Sequence, residues 1–131
     1  MTTFESKASI NKPVSEVYQF LADMNNHQQL MPENIKDWSS STEEAHFSIQ
    51  NMASLAIKMD SLTENAEIKI VSIENPPFHI ELKWLLTDVS GITEAVLIIS
   101  AELSMMMKML ASGPLQKLAN HQTQKLTEIL S

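Results

Sequence analysis

The chain has 131 residues, 44% of them hydrophobic and 19% charged, which is the size of one domain, 1–131, with a core of its own. Nine lysines and no arginine stand against sixteen acids, for a net charge of −7; this balance argues against nucleic acid and anionic membrane surfaces as partners. Cysteine is absent, which excludes disulfides and thiolate-held metals, and no apolar run approaches the roughly 18 residues of a membrane span.

The first residues, Met1 to Ser6, lack the basic start and apolar stretch of a secretory signal, so a cytoplasmic location is expected. Phe4, Ser6, Ala8 and Ile10 alternate with Glu5, Lys7 and Ser9, the period of a half-buried strand. Pro13 suits the first turn of a helix, with Asn11 or Ser15 as its cap, and Val14, Val17, Tyr18 and Leu21 give that helix an apolar stripe over 13–23. A second short helix is expected over 24–31 and ends at Pro32, because the residue before a proline resists helical geometry.

From residue 35 the period changes to that of strands, expected at 35–41, 45–50, 54–62, 67–74, 78–86 and 92–103. The breaks carry turn chemistry: Ser39 to Thr42, Glu64-Asn65, Asn75-Pro76-Pro77 and Asp88 to Gly91. Short turns between sequential strands imply an antiparallel meander. One face of it collects Phe47, Ile49, Leu55, Ile57, Met59, Ile68, Ile70, Phe78, Ile80, Leu82, Trp84, Leu86, Ala95, Leu97, Ile99, Ala101 and Leu103. The other shows His46, Ser48, Lys58, Asp60, Glu67, Lys69, His79, Glu81, Lys83, Glu94 and Glu102 and is expected to be wet.

Residues 104–112, with four methionines between Met105 and Met109, are read as a short helical turn. A fresh amphipathic helix then runs from Pro114 to about Leu130, within the tail that ends at Ser131. Its stripe is Leu115, Leu118, Leu126 and Ile129, with Gln122 the one polar member.

One strand, two short helices, a six-stranded meander and a long C-terminal helix is the helix-grip order. The chain resembles the START and polyketide-cyclase-like superfamily (SRPBCC), which includes the major birch pollen allergen. The matching residues are Ile10 to Tyr18 at the first helix, Met31-Pro32 and Trp38 after the second, Asn75-Pro76-Pro77-Phe78 before the sixth strand, and Gly113-Pro114-Leu115 at the last helix. The resemblance implies an α+β fold in which a curved antiparallel sheet of about seven strands wraps the C-terminal helix, with an apolar cavity between them. Members include lipid and hormone carriers, aromatic cyclases, hydroxylase-associated subunits and co-chaperone domains, and fold alone does not choose among these.

A long helix across a curved sheet tends to leave a gap that holds ligands. The expected lining is Ile57, Met59, Ile70, Leu82, Trp84, Leu97 and Ile99 from the sheet, and Leu118, Gln122 and Leu126 from the helix, with Gln122 or Ser72 orienting a polar group of the ligand. The alternative is that these side chains fill a core. The methionines are read first as packing at the core edge, yet four in five residues exceed what a helix buries; some are expected exposed, with Met106 and Met109 at the pocket mouth. His27, four residues after Asp23, is read as a helical ion pair, His46 and His79 as solvated, and His121 as a pocket-edge packing residue. No spacing joins them into a metal site, no inward carboxylate offers acid–base chemistry, and neither glycine sits in a phosphate loop. The expected function is binding or carriage of a small hydrophobic molecule such as a lipid, polyketide or aromatic compound, with no cofactor, metal or catalytic residue. The alternatives are an aromatic cyclase or dehydratase, and a co-chaperone-like or homodimeric interaction module.

Overall fold

A computed structural model describes residues 1–73 and 75–130; the predicted strand end at Glu74 and the last tail residue, Ser131, lie outside the described residues. Among these residues, seven strands form one antiparallel sheet: β1 (Thr2–Ile10), β2 (Ile35–Ser40), β3 (Glu44–Ile49), β4 (Ala53–Thr63), β5 (Glu67–Ser72), β6 (Ile80–Val89) and β7 (Ile92–Ala101). The spatial order is β1-β7-β6-β5-β4-β3-β2, so the meander runs unbroken from β2 to β7 and the N-terminal strand closes on its last member. The sheet curls into a half-barrel, and its concave face takes helix α1 (Val14–Leu21), a 3-10 helix (Met24–Leu30) and the long helix α2 (Met105–Leu130). The fold is α+β, as the sequence predicts.

The turns show why the meander forms. Ser90 and Gly91, both at positive φ (55° and 87°), make the two-residue turn between Val89 and Ile92, whose backbone twist matches that of the flanking strands. Asp88 braces it, its Oδ1 accepting from the Gly91 N–H at 3.1 Å. Asn51 (φ 63°) and Asn65 (φ 59°) supply the left-handed residue in the β3–β4 and β4–β5 turns, a conformation asparagine tolerates better than most side chains.

Alternation sorts the two faces as predicted. Every inward residue named above is buried except Met59 and Leu103, which are half-buried against the core. On the outer face Lys69 Nζ lies 3.2 Å from Glu81 and 3.7 Å from Asp60, a solvated network across β4, β5 and β6 that contributes little stability.

The helices depart from expectation in two places, the cap of α1 and the start of α2. Helix α1 starts at Val14, its cap residue is Pro13, and neither Asn11 nor Ser15 bonds its first turn; proline's fixed φ already sets the entry geometry. The expected second short helix is present as a 3-10 helix, opened by Asp23, whose Oδ1 accepts from the Asn25 N–H at 3.0 Å. The largest correction concerns the tail: no fresh start occurs at Pro114, and α2 is continuous over 26 residues. Proline there removes the bond to the Leu110 carbonyl, a cost of about 3 kcal/mol in a helix interior. Two features hold the helix through it. Ser104 caps its start, Oγ accepting from Met107 N–H at 3.2 Å, and half-buried Met107, buried Ala111 and buried Leu115 carry one packed stripe across the proline at four-residue steps.

Candidate functional site

The candidate site is the interior between the sheet and α2. Helix α2 lies on the β1–β7 side of the sheet, while α1 covers β5, β6 and β7. Two polar contacts fix α2 along β1. Thr123 Oγ1 and Ser6 Oγ are 2.6 Å apart, and Gln116 Nε2 donates to the Glu5 carbonyl at 3.2 Å. From the other side His121 Nδ1 donates to the Leu30 carbonyl at 3.0 Å, tying α2 to the 3-10 helix.

This pinning sets α2 against a particular row of the sheet. Ser6 pairs with Leu97, Leu97 with Trp84, and Trp84 with Ile68, so these four residues form one line across β1, β7, β6 and β5 on the inner face. Thr123 meets this line at Ser6. Gln122, one residue earlier on α2, is fully buried and belongs to the stripe of Leu115, Leu118 and Leu126. Trp84 lies two strands, about 10 Å, across the sheet from Ser6, beneath the strands that α1 covers.

The predicted lining residues of the sheet share its inner face, and of the whole predicted set only Met59 borders one of the clefts described here. Ile57, Ile70, Leu82, Trp84, Leu97, Ile99, Leu118, Gln122 and Leu126 are all buried. Met59 is half-buried and borders a cleft toward Ala22 and Thr42 at the β4 end. Ser72 sits at the rim, and its Oγ accepts from the Ile80 N–H at 3.2 Å, so its hydroxyl is engaged in joining β5 to β6.

Trp84 Nε1, Gln122 Nε2 and Gln122 Oε1 are fully buried and have no hydrogen-bond partner among the described residues. Trp84 and Gln122 are both 0% exposed. An unmet donor or acceptor in an apolar interior costs about 1–3 kcal/mol. The sequence marks Gln122 as the odd polar member of an apolar stripe; the unpaired indole N–H of Trp84 is the part it conceals, because tryptophan reads as core.

Two clefts open at the start of α2. One, of about 370 Å³, is lined by Ile49, Asn51, Met52, Met107, Leu110 and Pro114. The other, of about 530 Å³, is lined by Pro32, Glu33, Asn34, Pro114, Lys117 and His121, and the two share Asn34 and Pro114. From the methionine segment it is Met107 and Leu110 that line the first cleft, while Met105, Met106 and Met109 stand 85%, 74% and 85% exposed. The predicted mouth residues Met106 and Met109 thus lie on the outer side of the helix whose next turn borders the opening.

The histidines are distributed otherwise. His27 is a correction: it is buried, and Nε2 donates to the Leu21 carbonyl at 2.8 Å, while Asp23 serves as the helix cap instead of an ion-pair partner. Burial pushes its pKa below 6.5, against smaller opposing effects of the Leu21 carbonyl and Asp23. His46 and His79 are exposed. His121 lines the second cleft, as a pocket-edge residue should. Tyr18 is half-buried against the core, and Trp38 stacks on Phe47 with ring centroids 5.6 Å apart. Among the described residues no three histidine, aspartate or glutamate side chains converge on a metal site, and no helix is long and apolar enough to cross a membrane.

Neither a family model nor a curated protein matches this chain. Solved structures do. The protein KanY is similar with a TM-score of 0.78 at 10% identity, over 98% of this chain and 97% of that one. XoxI from Bacillus cereus gives 0.77 at 9% identity, over 99% and 96%. The Aha1 dimer of Colwellia psychrerythraea gives 0.67 at 15% identity, over 99% and 96%. At these identities the likeness is one of fold, and it extends over essentially the whole chain.

Proposed function

We propose that this protein is a helix-grip domain of the SRPBCC kind that binds a small hydrophobic molecule between its sheet and α2, without catalysis. The observation that carries this reading is the presence of unpaired polar atoms, Trp84 Nε1 on β6 and the Gln122 amide on α2, in an otherwise apolar interior. A fold stabilised only by its core has no use for such atoms, whereas a ligand with a polar group satisfies them. Entry is by the clefts at Asn34 and Pro114, beside the part of α2 with the most exposed apolar side chains. Methionines there adapt to varied apolar shapes. Each ligand methylene taken from water contributes roughly 0.8 kcal/mol.

The buried polar side chains are His27, Thr93, Ser100, Gln122 and Thr123. No carboxylate is among them, and His27 is committed to the Leu21 carbonyl, which favours binding over the cyclase reading. Native mass spectrometry of the purified protein, before and after incubation with a total lipid extract, tests the proposal. A non-covalent adduct of one small molecule per chain is expected, and its absence in both samples would refute binding. A second reading, self-association, rests on the exposed face formed by Met105, Met106, Met109 and Leu110. It is supported by a structural neighbour described as a dimer, and sedimentation velocity of Met109→Glu against the parent chain tests it.

A further inference from the structure

We infer that the first turn of α2 binds a soft monovalent metal ion, Cu(I), through the thioether sulfurs of Met105, Met106 and Met109. The site lies on the outer surface of the helix, and it stands or falls independently of ligand binding in the interior.

Exposure singles these residues out. Met107 continues the stripe of Ala111 and Leu115 and packs on the core, as a methionine of an amphipathic helix ordinarily does. Met105, Met106 and Met109 face the other way and are exposed. Leucine would serve as well there, either as a helix former or as an apolar surface. What distinguishes the three positions is a sulfur lone pair held in solvent.

Helix geometry brings the sulfurs within reach of one ion. Met109 lies four residues after Met105 and three after Met106. At both spacings side chains on a helix are neighbours, with Cβ atoms about 5–6 Å apart. Long helical side chains also lean toward the N-terminus, over the residues three and four positions earlier. Met109 therefore lies over Met105 and Met106 together. The sulfur of methionine is two bonds beyond Cβ on an unbranched, flexible chain, so three of them can close on an ion above the first turn. Gly113, one turn further on the same face, leaves open space where a side chain would stand.

The donor set selects the ion. Thioethers are soft, neutral ligands that suit Cu(I), whereas Mg(II) and Mn(II) require oxygen donors. Charge points the same way. The positive end of α2 and the neighbouring Lys108 oppose a cation, and they oppose a single charge half as strongly as a double one. The net charge of −7 and exposed Glu102, three residues before Met105, act in its favour.

Ag(I), a soft monovalent ion stable in air, is the first probe, titrated calorimetrically in chloride-free buffer. Cu(I) is the second, titrated anaerobically against bicinchoninate. One ion per chain is expected, and X-ray absorption of the Cu(I) form should show a first shell dominated by sulfur. The triple variant Met105→Leu/Met106→Leu/Met109→Leu keeps the helix propensity and the apolar face, and it is expected to bind both ions at least ten-fold more weakly. Met31→Leu, at a half-buried methionine elsewhere, should match the parent, and Mn(II) should not bind at this turn in any of the three. No uptake by the parent, an undiminished affinity in the triple variant, or a shell of nitrogen and oxygen would overturn the site. One ion shared between two chains would overturn its single-helix geometry. Because leucine preserves the apolar surface, self-association measured on the same variant stays a separate question from metal binding.

Discussion

Replacing Gln122 by leucine should make the unliganded protein more stable, an unusual outcome for a fully buried position. The glutamine brings two unpaired polar atoms into the interior, each costing about 1–3 kcal/mol. Leucine removes both, has nearly the same helix propensity, and extends the apolar stripe of Leu115, Leu118 and Leu126. Leucine's shorter, branched shape gives back part of the gain as imperfect packing. The net expectation is about 2 kcal/mol. At ~2.1 cal/mol/K of unfolding entropy per residue, a chain of 131 residues should gain roughly 7 °C in Tm. Differential scanning calorimetry and urea denaturation measure it, with exposed Gln124→Leu as control, expected to stay within about 0.5 kcal/mol. A loss of 1 kcal/mol or more in Gln122→Leu would refute the reasoning, as would an equal gain in the control. A gain would leave the retention of a costly polar residue to be explained, and stability given up at a binding site is the ordinary explanation.

The other predictions concern burial and charge. Leu82→Arg places a charge between Ile70 and Ile99 on the inner face and should cost at least about 4 kcal/mol; a variant within 1 kcal/mol of the parent in urea would contradict the face assignment. His27 is neutral in the folded chain because burial lowers its pKa, so the unfolded chain takes up the proton first. Stability conferred by neutral His27 is whole above pH 6.5 and is lost as pH falls from there toward the folded-state value, by at most ~1.4 kcal/mol per pH unit. Urea midpoints at pH 7.5 and 5.5 should therefore converge more closely in His27→Gln than in the parent, and an unchanged pH dependence would remove His27 from the account. Replacing exposed His46 or His79 by alanine should alter urea-measured stability by less than about 0.5 kcal/mol.

Much of this architecture is legible from period alone. Strict alternation in residues such as Leu82, Trp84 and Leu86 places them inward without knowledge of their partners, and the asparagine and Ser90-Gly91 turns announce the hairpins. Local signals fail where long-range packing decides. Pro114 reads as a helix start, yet Ser104, Met107, Ala111 and Leu115 carry the helix through it, and their shared burial exists only once the sheet is present. His27 beside Asp23 reads as a surface pair, whereas the 3-10 helix turns it inward onto Leu21. The site was half visible. Gln122 interrupts an apolar stripe, while the free N–H of Trp84 depends on which atoms the fold fails to supply, and no residue pattern encodes that.

The pairing of β1 with β7, Thr2 opposite Ala101 at one end and Ile10 opposite Thr93 at the other, bears on how the molecule is made. On the ribosome the first strand emerges about ninety residues before its neighbour, and it spends that interval with its backbone groups offered to any other extended chain. Closing so large a loop is entropically slow, which places folding in the millisecond-to-second range typical of such topologies. The alternating Glu5 and Lys7 on its outer side are the kind of charges that discourage misassembly during the wait.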